Sequence, residues 1–184
     1  AGLEPVDLGN AANVTVDLSG NSDDALVTMN GSTVTVASQS VASTFEQATF
    51  AIPTTSVTIR LGNDQGLFPL LNEYVGQTDV ALGLINFIQG DAITFQGTID
   101  LGGASLTVDG EDGLDNIIVA GSLTAGAIHF KAEEINVDAG ASVSGTSVNF
   151  EAAGEGNGLI PTELTEGVYL AAPHAIINVK GDVS

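Results

Sequence analysis

Between residues 91 and 184 one short pattern returns at uneven intervals. An apolar residue is followed two or three positions on by a glycine, then by an aliphatic residue, a second corner of small residues, and two apolar residues separated by one. The pattern begins at Phe95 in FQGTIDLGGASLTVDG, at Val119 in VAGSLTAGAIHFKAEE, at Val137 in VDAGASVSGTSVNFEA, and again at Val179 in VKGDVS. Ile99, Leu123, Val143 and Val183 fill the same place in it, and Leu106 with Val108, Ile128 with Phe130, and Val148 with Phe150 close the three complete copies. The steps are 24, 18 and 42 residues, the last being one repeat of about 20 plus a loop, AAGEGNGLIPTELTEGVYLAAPHA, that sets Gly, Pro and Glu at non-strand positions. One such unit cannot bury its apolar row alone. Units stacked about 4.8 Å apart pair every strand with its equivalents above and below and produce a continuous aliphatic core. The expected fold is therefore all-β, a parallel β-solenoid with coils of about 20 residues, in which corner length varies freely because only the inward residues must stay in register.

Residues 12–60 also read as strands. NVTVDL, ALVTM, STVTVA, ATFAI and SVTIRL mostly place apolar residues two apart, as in Val14, Val16 and Leu18. GNSDD and NGS between them are turn chemistry. Residues 66–90 differ, because Leu67, Leu70, Leu71, Tyr74 and Val75 fall at helical spacing, Pro69 suits a first helical turn and Gly76 a helix end. A short helix is expected near 68–75, within an insertion or cap over one end or face of the β core; a lid or partner-binding helix is the alternative. The competing architecture is an antiparallel β-sandwich of about ten short strands. Its best hairpin dipeptides are few and mostly badly placed: NG at Asn30 and inside the interrupting loop at Asn157, DG at Asp109 and Asp112 in one acidic loop.

The organisation expected is a single segment over 1–184, with N-terminal strands at 12–60, the insertion at 66–90, and repeats over 91–184 that carry the loop 153–175. A start at Ala1 without methionine, and a finish part-way through a repeat, suggest a stretch of a larger array. The N-terminus has no basic and apolar regions of a signal peptide. No apolar run approaches the roughly 18 residues that cross a bilayer, so membrane insertion is not expected. Asp and Glu number 23 against three Lys plus Arg, a formal net charge of −20, and a field of that sign repels nucleic acid and anionic lipid. With 43% hydrophobic residues the charge sits on an ordered protein. The absence of cysteine excludes disulfides, thiolate metal sites and a cysteine nucleophile.

The stretch VAGSLTAGAIHFKAEEINVDAGASVSGTSVNFEA resembles the repeats of filamentous-haemagglutinin-type secreted proteins and related bacterial surface adhesins, whose coils alternate strand and glycine. The resemblance covers residues 91–184 and, more loosely, 12–60. It is one of repeat texture and carries over no functional residues. It implies a right-handed β-helix from a large secreted or surface-anchored protein, hence an extracellular or cell-surface location.

The most distinctive acidic cluster is DGEDGLDN, where Asp109, Glu111, Asp112 and Asp115 form a candidate Ca²⁺ site, since hard cations take about six to eight oxygens at flexible distances. The spacing departs from the EF-hand loop and from calcium-binding β-rolls, and a solvated acidic corner is the alternative. Carbohydrate chemistry is the serious enzymatic rival. A glycosidase needs two carboxylates facing one groove about 5 to 10 Å apart, for which Asp100, Asp109 and Asp138 are candidates. A lyase needs a base and cations, and only Arg60, Lys131 and Lys180 are present. There is no Trp to stack on a sugar, and Tyr74 and Tyr169 lie in inserted segments. His129 alternates with inward Ile128 and Phe130 and should face solvent beside Lys131. Thr98, Ser122 and Ser142 share an outward column of the kind that orders ice, but Asp182 breaks it.

The expected function is a non-enzymatic structural and adhesive segment, a stiff rod presenting loops to a host- or neighbour-cell surface protein or glycan and flanked by further repeats of the same polypeptide. A polysaccharide lyase or glycosidase is the alternative, and an ice-binding solenoid a minor one.

Overall fold

The computed structural model describes residues 6–7, 9–18, 23–39, 45–62, 65–67, 86–88, 90–111, 115–152 and 176–184. Their regular structure is entirely β, nineteen strands numbered along the chain and arranged in four sheets. A five-stranded sheet runs in the order β17 (Ser147–Ala152), β14 (Ala127–Ala132), β11 (Ser105–Asp109), β6 (Ser56–Arg60) and β2 (Asn13–Asp17), and all its pairings are parallel. A four-stranded parallel sheet contains β10 (Thr98–Asp100), β13 (Ser122–Thr124), β16 (Ser142–Ser144) and β19 (Asp182–Val183). The eight-stranded sheet holds β9 (Ala92–Phe95), β12 (Asn116–Val119), β15 (Glu134–Val137) and β18 (Ile176–Val179) in parallel on β3 (Asp24–Asn30), and continues beyond β3 through β4 (Thr33–Ser38), β5 (Ala48–Ala51) and β1 (Val6–Asp7). From β9 to β17 the chain visits these three sheets in fixed rotation and moves one strand over in each at every pass.

The register is the one the repeat pattern implies. Ile99 pairs with Leu123, Leu123 with Val143, and Val143 with Val183. Leu106, Ile128 and Val148 form a second column and Val108, Phe130 and Phe150 a third, which Val57 with Val14 and Ile59 with Val16 extend. Side chains alternate across a strand, so these columns all face one way, and their members from Val14 through Val143 are buried apart from Val148 and Phe150, which pack on the core partly buried. Phe130 lies stacked between Phe95 and Phe150, with ring centroids 5.6 and 5.5 Å apart, at about 0.5–1.5 kcal/mol per pair beyond simple burial.

The expected parallel architecture holds only in part. The NGS turn closes a hairpin: β3 and β4 pair antiparallel from Ala25–Ser38 down to Asn30–Thr33, across the two-residue link Gly31–Ser32. Gly31 supplies the left-handed φ of 61° that the first link position of such a turn demands, and two residues can reverse a strand but cannot carry it back parallel. β4 and β5 are also antiparallel, so this sheet is mixed. The insertion at 66–90 has at its base an antiparallel pair, β7 (Gln65–Leu67) with β8 (Asn86–Ile88). The helix expected at 68–75 and the loop 153–175 lie outside the described residues.

Corners let neighbouring passes approach closely. A Cβ placed on Gly121 would fall inside the contact radius of the Gly97 backbone, whereas one on Gly103 would meet nothing within 4 Å. Gly121→Ala is expected to cost about 1–3 kcal/mol of unfolding free energy in urea titration through overpacking, and Gly103→Ala to change it by less than about 0.5 kcal/mol.

Candidate functional site

On the outer face of the five-stranded sheet, the alternate residues of each strand form columns of their own. Asp17, Arg60, Asp109, Lys131 and Glu151 are successive register partners, so charge alternates strictly from one edge of the sheet to the other. Two of the chain's three cations are spent on this line. Arg60 Nη1 lies 3.5 Å from Asp17 Oδ1 and its Nε 3.9 Å from Glu111 Oε1, and Lys131 Nζ lies 3.8 Å from Asp109 Oδ1. His129, half-exposed beside Lys131 as expected, places Nε2 3.4 Å from Glu151 Oε2, an ion pair whenever the ring is protonated. Because these side chains are 23–62% exposed, each pair contributes only about 0–1 kcal/mol. The weight of the pattern lies in which strand fits beside which.

The candidate calcium residues are divided by this arrangement. Asp109 accepts a hydrogen bond from the Glu111 backbone N–H at 3.2 Å, and the two carboxylates face Lys131 and Arg60 respectively. Asp112 lies outside the described residues. Asp115 is no solvated corner residue, since it is 1% exposed. Among the described residues no group of three or more His, Asp and Glu side chains is placed to hold a metal ion. The candidate glycosidase carboxylates are also apart: Asp109 on the five-stranded sheet, Asp100 on the four-stranded one accepting from Gly102 N–H at 2.9 Å, and exposed Asp138 just after β15. On the four-stranded sheet Thr98, Ser122, Ser142 and Asp182 do share a column, broken by the aspartate.

Sequence reasoning missed the residues that hold the corner before the eight-stranded sheet. Asp23, Asp91, Asp115 and Glu133 are 1–4% exposed and stand immediately before β3, β9, β12 and β15. The Asp23 backbone N–H donates to Asp91 Oδ1 at 2.6 Å, that of Asp91 to Asp115 Oδ1 at 2.9 Å, and that of Asp115 to Glu133 Oε2 at 2.8 Å. In return the carbonyls of Asp23, Asp91 and Asp115 accept from Ala92, Asn116 and Glu134 at 2.8–2.9 Å. Each pass is thus clasped to the next by two bonds of opposite direction, one of them charge-assisted. The signal was present in the sequence: an acidic residue directly ahead of an alternating strand in DDALVTM, DAITF, DNIIV and EEINV. Nearby, amide side chains form a polar ladder, Asn178 donating to Asn136 at 2.9 Å and Asn136 to Asn116 at 3.0 Å.

Removing one rung strands a buried backbone N–H, so Asp115→Ala is expected to lose about 1–3 kcal/mol in urea unfolding while Asp115→Asn, which keeps an acceptor oxygen, loses clearly less. Because Lys131 and Arg60 already face Asp109 and Glu111, thermal melts in millimolar calcium and in chelator are expected to coincide; a calcium-dependent rise of several degrees would establish a site at this corner.

No protein-family model matches this chain, and no curated protein or solved structure matches it either.

Proposed function

We propose that the chain is a right-handed parallel β-solenoid and acts as a non-enzymatic rod segment of a large secreted or cell-surface bacterial protein, holding loops out for adhesion. The observation that carries this reading is the way the ladder resumes after residue 152. β15 pairs with β18 from Glu134–Ile176 to Val137–Val179 without a slip, although the step there is 42 residues and the preceding one 18. A scaffold whose inward columns ignore what is inserted between them is suited to displaying variable segments. The handedness and the cell-surface setting rest on the resemblance to filamentous-haemagglutinin-type repeats.

The segments 66–90 and 153–175 are the presentation sites in this reading. Partners are a surface protein or glycan of a host or neighbouring cell, and further repeats of the same polypeptide. The dispersal of Asp100 and Asp109 over two sheets and of Asp138 to the corner after β15 supports a structural role over hydrolysis, which requires two carboxylates about 5 to 10 Å apart across one groove. Paired charges on the column likewise leave Arg60 and Lys131 poorly suited to neutralising a sugar acid.

Replacing residues 154–174 by a short Gly-Ser linker tests the reading. Cooperative unfolding and the β-type circular dichroism spectrum are expected to persist, while binding to immobilised cell-surface protein and glycan is lost. A chain that no longer folds, or binding that survives deletion of this segment and of 68–85 together, would remove the case for display.

A further inference from the structure

The two edges of the five-stranded sheet end on the same sign. Asp17 closes the alternating column on β2 and Glu151 closes it on β17, while every cation in the column sits between two acids, Arg60 between Asp17 and Asp109 and Lys131 between Asp109 and Glu151. At the β17 end the apolar columns are also left uncovered. Ile177, Val179 and Val183, which continue the rows of Ile135, Val137 and Val143, are 41–47% exposed and are the exposed large hydrophobics among the described residues. β17 pairs with β14 on one side and with no other described strand. At the opposite end the eight-stranded sheet extends past β3 through the antiparallel β4 and β5, so the two ends differ.

We propose that the face formed by β17, β18 and β19 receives one further coil of the same polypeptide, whose strand lies parallel to β17, sets apolar residues in step with Val148 and Phe150, and carries a lysine or arginine opposite Glu151. This rests on the solenoid reading and adds a rule of selection to it. Strand addition draws its affinity from the backbone ladder and its specificity from alternate side chains. Opposite charges directly across a strand pair attract and like charges repel, so a cation prolongs the alternation. The same rule refuses a second copy of this chain docked head to tail, because its β2 would set Asp17 against Glu151. The column therefore marks which coil comes next and protects an open, apolar edge from the chain's own copies.

The chain's own β14 supplies the probe. Ser144 is the register partner of Thr124, and the Gly145 N–H donates to the Ser184 carbonyl at 2.9 Å, so a copy of residues 125–132 appended directly after Ser184 would bring its lysine opposite Glu151. Hydrogen exchange of the full chain is compared without the extension, with it, and with glutamate in place of that lysine. The lysine extension is expected to slow the exchange of β17 amides by about tenfold or more, and to out-protect the glutamate version by about three- to tenfold at low salt, a margin that shrinks at high salt. In a Glu151→Lys host the preference should reverse. Equal protection by both extensions, or no added protection of β17 by either, overturns the proposal, as does head-to-tail assembly of the unextended chain in sedimentation. Failure of the solenoid reading itself has a separate signature: rapid exchange in β11 and β14 before any extension is added.

Discussion

Every parallel pairing among β9–β19 requires the chain to come back to the same place, in the same direction and on the same side-chain phase, after leaving it through two other sheets. A slip of one residue would turn a whole inward row to solvent. The in-register backbone ladder is therefore the constraint to which everything else answers. It explains why Ala25, Ile93, Ile117 and Ile135, contributed by four widely separated segments, meet as fully buried neighbours. It also explains the glycines at 121 and 126, where a Cβ would run into the backbone of the preceding pass at Gly97 and Gly103.

The buried acids show how the ladder is secured where it is weakest. At a corner the backbone leaves one sheet for another, and its N–H groups would lose their partners. Asp91, Asp115 and Glu133 bring a carboxylate oxygen to each orphaned donor of the preceding pass, and the charge-assisted bond it accepts offsets part of the cost of burial away from water. Glu133 reaches the same kind of donor with one more methylene after an 18-residue step, where Asp115 spans a 24-residue step. The strongly acidic composition is thus not only a surface property. Part of it is internal fastening, and part of it is ordered outside into a column that places two of the three cations between acids.

Much of the sheet core was legible from alternation alone. The columns headed by Ile99, Leu106 and Val108 follow from counting, because a period of two survives any change in corner length. The N-terminal strands and the NGS turn between them were equally visible, but the antiparallel pairing that such a turn implies was outweighed by the repeat found further along. Local turn chemistry decided that segment and the distant repeat did not. The buried acids escaped because an aspartate beside glycine or another acid reads as a solvated turn, and only the fold shows that it precedes a strand whose neighbour needs an acceptor. The alternating charges of Asp17, Arg60, Asp109, Lys131 and Glu151 could not be read at all before the register was known, since they lie in five segments with unequal spacing. For Asp112 and the segments at 68–85 and 153–175 the sequence remains the whole account.

The β3–β4 hairpin bears on how such a chain begins to fold. Its strands are joined by two residues, whereas β3 meets β9 across a separation of 68 at their corner. The entropy lost in closing a loop grows with its length, so the hairpin is the contact a disordered chain reaches with least loss, and it leaves β3 with one edge still open. That edge then presents a ready-made template, and each later strand of the sheet needs only to find a partner that already exists. A local turn thereby sets a starting point and a direction of growth for an otherwise nonlocal, slow-pairing architecture.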